Sequence, residues 1–113
     1  MSPITTHVLD TSLGKPAAGV AVGLSRLEPD GTERELARGT TDADGRVRDL
    51  LAPGSLQRGS YRLTFHTAAY FASDGRASFY PRIEVVFEVR TDTEHHHVPL
   101  LLSPYGYSTY RGS

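Results

Sequence analysis

Ile83-Glu84-Val85-Val86-Phe87-Glu88-Val89-Arg90 is the stretch that decides the fold. Ile83, Val85, Phe87 and Val89 alternate with Glu84, Val86, Glu88 and Arg90, and a period of two puts one apolar row on one side of an extended chain. That alternation predicts a half-buried β-strand. Just upstream, Tyr61, Leu63 and Phe65 alternate with Arg62, Thr64 and His66 in the same way, after Gly59. The segment between them departs from the pattern. Ala68, Ala69, Tyr70, Phe71 and Ala72 favour a helix, and Gly75 offers a stop, so one short helix is expected within residues 67–77.

Further out, short apolar runs are separated by Gly, Pro and Asp clusters. Residues 4–10 read as a first strand, and Leu13-Gly14-Lys15-Pro16 as a turn leading into a strand over 19–27. In Glu28-Pro29-Asp30-Gly31, Pro presets φ early in the turn and Gly tolerates positive φ, so residues 33–40 are expected to return antiparallel. Asp42-Ala43-Asp44-Gly45 is a turn of the same chemistry. Residues 46–50 then form a short strand or strand edge, which Pro53-Gly54 ends. On the C-terminal side, residues 92–94 turn the chain and residues 95–102 form a penultimate strand. Ser103-Pro104-Tyr105-Gly106 breaks it, and residues 107–111 make a last short strand. About seven or eight such strands with one short helix indicate an all-β fold, an antiparallel β-sandwich. Its edge strands need covering, and pairing with another subunit is one way to do that.

A chain of 113 residues fits one domain, residues 1–113, and no internal repeat is visible. Twelve basic and thirteen acidic residues nearly cancel, which argues against nucleic acid as a partner. No tract is long and apolar enough to cross a membrane as a helix, so a membrane role is not expected. There is no cysteine, hence no disulfide and no thiolate nucleophile. The N-terminal residues carry no secretory pattern, which makes a cytoplasmic location the default expectation.

Five histidines are present. His95, His96 and His97 are consecutive on a predicted strand, so His95 and His97 share one face. His7 lies on the first strand. A neutral imidazole suits a general base near pH 7, and a nearby Arg keeps it neutral. Arg46 and Arg111 are both candidates for that Arg, and for stabilising charge on a carbonyl oxygen under attack. The combination suits hydrolysis by activated water. Lone strand histidines such as His66 are more often solvent-facing or structural, and His66 is given no role. Tyr61, Phe65, Tyr70, Phe71, Phe79 and Phe87 read as core or helix-packing residues. Phosphate loops, dinucleotide fingerprints and a carboxylate pattern to complete a histidine metal site are missing, so neither cofactor nor metal is expected.

The chain closes on Tyr110-Arg111-Gly112-Ser113, preceded by HHHVPLLLSP over residues 95–104. Near its start stand His7-Val8-Leu9-Asp10, Gly14-Lys15-Pro16 and Gly19-Val20. Together these resemble the transthyretin-like family of 5-hydroxyisourate hydrolases, over essentially the whole chain. The terminal tetrapeptide is the motif that separates those enzymes from hormone-binding transthyretins, whereas the N-terminal half is similar to more generic prealbumin-like modules. The resemblance implies a transthyretin-type sandwich assembled as a homotetramer, with active sites at the dimer–dimer interface. It implies catalytic roles for His7, Arg46 and His97, and a substrate-binding role for Tyr110, Arg111, Gly112 and Ser113.

The implied reaction is the hydrolytic opening of the six-membered ring of 5-hydroxyisourate, in urate breakdown. The product is 2-oxo-4-hydroxy-4-carboxy-5-ureidoimidazoline, and no cofactor is needed. Which of the two histidines is the base is left open by the sequence. Arg82 and His96 stand out against the family pattern and read as surface variation. The alternative readings are a transthyretin-like binding module for a small hydrophobic ligand, and an interaction domain needing only the sandwich and its edges. Neither uses the terminal tetrapeptide.

Overall fold

The computed structural model describes residues 2–113. In chain order the strands are β1 (Ile4–Asp10), β2 (Lys15–Pro16), β3 (Ala21–Leu27), β4 (Glu33–Thr40), β5 (Arg46–Val47) and β6 (Gly59–Phe65). Helix α1 (Thr67–Ala72) follows, then β7 (Ile83–Val89), β8 (His96–Ser103) and β9 (Gly106–Thr109). One sheet has the order β2-β1-β8-β9, with β5 also pairing on β1, and the other has the order β4-β3-β6-β7.

The expected sandwich forms. Ile4 and Val8 of β1 and Val98, Leu100 and Leu102 of β8 are buried, as are Val22 and Leu24 of β3, Leu63 and Phe65 of β6, and Ile83, Val85 and Val89 of β7. Fully burying an aliphatic or aromatic side chain stabilises by about 1.5–3 kcal/mol, so the alternation along these strands supplies the main drive for the two layers. The alternating stretch Ile83–Val89 is the edge strand β7, paired antiparallel with β6 so that Leu63 faces Val85 and Phe65 faces Ile83.

Three local features differ from expectation. First, β1 and β8 run parallel, with Ile4 opposite His96 and Asp10 opposite Leu102, inside an otherwise antiparallel fold. β1 alternates cleanly and β8 carries the apolar run Val98-Pro99-Leu100-Leu101-Leu102, and the alternation of β1 carries no information about strand direction. Second, the Lys15-Pro16 turn lends two residues to the ladder, against Leu9 and Asp10. Third, the helix ends at Ala72. Gly75, at φ +78°, closes the turn beyond it, and the Arg76 N–H bonds the Phe71 carbonyl.

Phe79 is a correction. It is 69% exposed, edge-on to Tyr80, and takes no part in the core. His96 is another, because it is buried at 5% exposure with Nδ1 3.0 Å from the Glu94 carbonyl, where surface variation was expected. Even-numbered residues of β8 point into the sandwich, and His96 obeys that parity. Arg82 is on the surface, paired with Glu84.

Candidate active site

Strand β1 positions the site. Its even-numbered residues are buried and its odd-numbered ones half-buried, so Thr5 and His7 stand side by side on the outer face of their sheet. Across the parallel ladder Thr5 lies opposite His97. On the other edge of β1, His7 pairs with Arg46 of β5. The register alone therefore brings His7, Arg46 and His97 onto one patch.

Arg46 is held there by the turn before it. Asp42 Oδ1 accepts the N–H groups of Asp44 at 2.9 Å and Arg46 at 3.0 Å. Gly45 lies at φ +77° with its backbone against Val8, and its carbonyl accepts the Val8 N–H at 2.7 Å. A side chain at residue 45 would strike the Val8 carbonyl oxygen, so this close approach requires glycine. Arg48 binds both acidic residues of the turn, at 3.2 Å to Asp42 and 3.1 Å to Asp44. Among the described residues, Arg46 has no carboxylate partner and its charge is left for the patch.

His97 is fixed from two sides. Its Nδ1 is 2.8 Å from Thr5 Oγ1, while Nε2 has no hydrogen-bond partner among the described residues. Gly112 lies against the ring. Its N–H bonds the His97 carbonyl at 2.8 Å, and a β-carbon built there would stand 2.5 Å from His97 Cδ2. Only a residue without a side chain fits. The terminal Ser113 joins Thr5, Arg46, Arg48, His95 and His97 around an open cavity of about 490 Å³.

The electrostatics favour neutral rings. Burial and then the Arg46 charge lower the pKa of His7 below 6.5, partly opposed by the Asp44 backbone, Asp42 and Asp44. His97 is lowered by burial, then by Arg46, His95 and His7, with the Thr5 backbone acting the other way. Neutral imidazoles beside an uncompensated guanidinium can take a proton from water and stabilise an anion formed nearby.

The terminal tetrapeptide is split. Gly112 and Ser113 reach the histidine patch. Arg111 turns the other way and binds Glu94 at 2.9 Å. With Tyr110, which is 58% exposed, it lines a separate cleft against Val85, Phe87, His96 and Val98. Of the two arginines the sequence left open, Arg46 is the one beside His7 and His97, and Arg111 lies against His96. The sequence reading missed Thr5, whose hydroxyl touches both His95 and His97. Its only sequence signal is its place two residues before His7 on the same strand face.

Residues 4–112 match the model of the HIUase/Transthyretin family. A 5-hydroxyisourate hydrolase from Mus musculus is 51% identical over 113 residues, 99% of this chain and 96% of that protein. Among solved structures, the 5-hydroxyisourate hydrolase of Klebsiella pneumoniae superposes with a TM-score of 0.83 at 43% identity, covering 97% of this chain and 92% of that one. Sea bream transthyretin in complex with thyroxine superposes with a TM-score of 0.93 at 35% identity, covering 98% and 95%. The fold is thus common to hydrolases and transthyretins, while the higher identities lie with the hydrolases. The chain belongs to the HIUase/Transthyretin family.

Proposed function

We propose that the protein is a 5-hydroxyisourate hydrolase acting through His7, Arg46 and His97. The observation that carries the reading is the seating of Gly112 on the His97 ring, which brings the terminal Ser113 to the same cavity as Arg46 and His97. A module that only binds a hydrophobic ligand has no use for that arrangement.

His97 is the general base. Its Nδ1 is tied to Thr5, so the ring is oriented and Nε2 is the nitrogen that receives a proton from water. The hydroxide adds to a carbonyl carbon of the six-membered ring, and Arg46 stabilises the oxyanion. The carbon–nitrogen bond then breaks, the nitrogen takes the proton that His97 received, and the ring opens to a ureido group and a carboxylic acid, which loses its proton to solvent. His7, facing Arg46, positions the water and substrate. Gly112 and Ser113 line the pocket, and Tyr110 and Arg111 anchor the segment that carries them from the neighbouring cleft, Arg111 through Glu94.

The working unit is one domain over residues 1–113, a homotetramer in the cytoplasm with its active sites between dimers. The open shape of the cavity and the unpaired outer edges of β7 and β9 support that assembly. Among the described residues no helix is long and apolar enough to cross a membrane.

The test is the loss of 5-hydroxyisourate, generated by urate oxidase and followed by ultraviolet absorbance. Decay far faster than the spontaneous rate, abolished in His97→Ala, is expected. Spontaneous-rate decay with folded tetramer, together with saturable binding of an apolar ligand, would favour the binding-module reading instead.

A further inference from the structure

Thr5 sits between two imidazoles. Its Oγ1 is 2.8 Å from His95 Nε2 and 2.8 Å from His97 Nδ1. The two rings are nearly parallel, 21° apart, with centroids separated by 6.2 Å. Backbone register causes this: Thr5 is opposite His97, and alternation turns His95 to the same side while His96 goes into the sandwich.

A hydroxyl carries one proton, so Thr5 donates to one ring only and must accept an N–H from the other. With neutral rings, two arrangements satisfy both hydrogen bonds. In the first, His97 donates Nδ1–H to Thr5, Thr5 donates to His95 Nε2, and His97 Nε2 is bare. In the second, His95 donates Nε2–H, Thr5 donates to His97 Nδ1, and the proton of His97 sits on Nε2. Only the first leaves a base facing the cavity. One hydroxyl therefore locks the two tautomers together.

We infer that Thr5 is a positioning residue for the hydrolysis, joining His95 and His97 in a proton wire that selects the bare Nε2 of His97. The inference rests on the reading of His97 as the base. When Nε2 takes a proton from water, the Nδ1 proton passes to Oγ1 as the hydroxyl proton passes to His95 Nε2. One N–H and one O–H bond break, and one of each forms. The positive charge leaves the half-buried ring beside Arg46 and settles on the exposed ring of His95. Reversal of the same two transfers restores the proton to Nδ1, so that Nε2 releases the proton it took from water to the departing nitrogen, and no other reagent is needed. Burial and Arg46 both oppose a cation on His97, which gives the transfer its direction.

The experiment compares Thr5→Val, which keeps the β-branched shape, with Thr5→Ser, which keeps the hydroxyl. Long-range proton–nitrogen correlation spectra of the imidazoles above pH 8 report the tautomers without substrate. The wire predicts Nδ1–H at His97 in the parent protein, a shift toward Nε2–H in Thr5→Val, a concurrent change at His95, and recovery in Thr5→Ser. Turnover is expected to fall roughly 10- to 100-fold in kcat for Thr5→Val with KM nearly unchanged, and Thr5→Ser to recover most of it. If Thr5→Val does not fold, His95→Phe interrupts the wire at its exposed end and is expected to move the His97 tautomer likewise. An unchanged His97 tautomer and unchanged kcat in the folded variant overturn the wire. A parent protein without turnover overturns the hydrolase reading alone, because the tautomer measurement needs no activity.

Discussion

The two ends of β1 carry polar clusters of opposite character. At the C-terminal end Asp10 is fully buried, and its carboxylate accepts from Ser12 at 2.6 Å, Tyr70 at 2.8 Å and Arg76 at 2.8 Å. Burial pushes its pKa up, but Arg76, Ser12 and Tyr70 outweigh this and hold it at about 2. Arg76 in turn lies 4.9 Å over the Phe71 ring, so the cluster pins α1 to the sheet. Every strong group there is answered. Near the other end, Arg46 has no carboxylate among the described residues, and His97 Nε2 has no partner. A saturated network holds a fold together, whereas groups left unsaturated in an organised pocket are available to a ligand.

That contrast can be broken at its reactive end first. His97→Ala and His7→Ala are expected to lower kcat by about 10²–10⁴. Their thermal unfolding should stay close to that of the parent, since both rings are only half-buried; a collapse of stability would make the residues structural instead. Arg46→Gln removes the charge that faces the oxyanion, and a loss of roughly 10²–10³ in kcat is expected.

The same variant sharpens the electrostatic argument. Because His7 and His97 both have lowered pKa values, the acid limb of kcat/KM should lie below 6.5 in the parent. Arg46→Gln should move it upward, as read from a pH–rate profile. The sign for stability is the same: folded pKa values below the unfolded one of 6.5 make the fold lose stability as pH falls through that region. Gly112→Ala, whose new β-carbon must displace the His97 ring, is expected to reduce turnover about tenfold. A parental rate would mean that the C-terminal segment does not seat on His97.

The saturated end should respond in the other currency. Asp10→Asn is expected to destabilise by about 2–3 kcal/mol in urea unfolding while kcat stays within about twofold. Asp10 has a folded pKa of about 2 against 3.8 for a free carboxyl, so its contribution is fully present above 3.8 and is lost as pH falls toward 2. Acid unfolding of the parent should therefore steepen in that window and do so less in the variant.

Much of this contrast was legible in the residues. Alternation in 83–90, 61–65 and 4–10 located the core strands, because burial on one face leaves a period-two trace. The Asp42-Ala43-Asp44-Gly45 turn announced itself through its Asp and Gly chemistry. What stayed hidden depends on strand pairing. Alternation cannot reveal that β1 and β8 run parallel, and that register sets Thr5 against His97, while the pairing of β5 on β1 brings Arg46 to His7. His96 looked like surface variation because polar residues are mostly exposed, yet parity takes it inside, and Phe79 looked like core because nothing local shows that no element packs over it. Gly112 was visible as part of a motif. Its physical reason, the His97 ring against its α-carbon, required the three-dimensional structure.

The most direct test of the central claim is to measure the rate of 5-hydroxyisourate loss with His97→Ala and Asp10→Asn side by side, at equal folded concentration. Near-parental turnover is expected from Asp10→Asn and almost none from His97→Ala. Comparable rates from the two variants would contradict it.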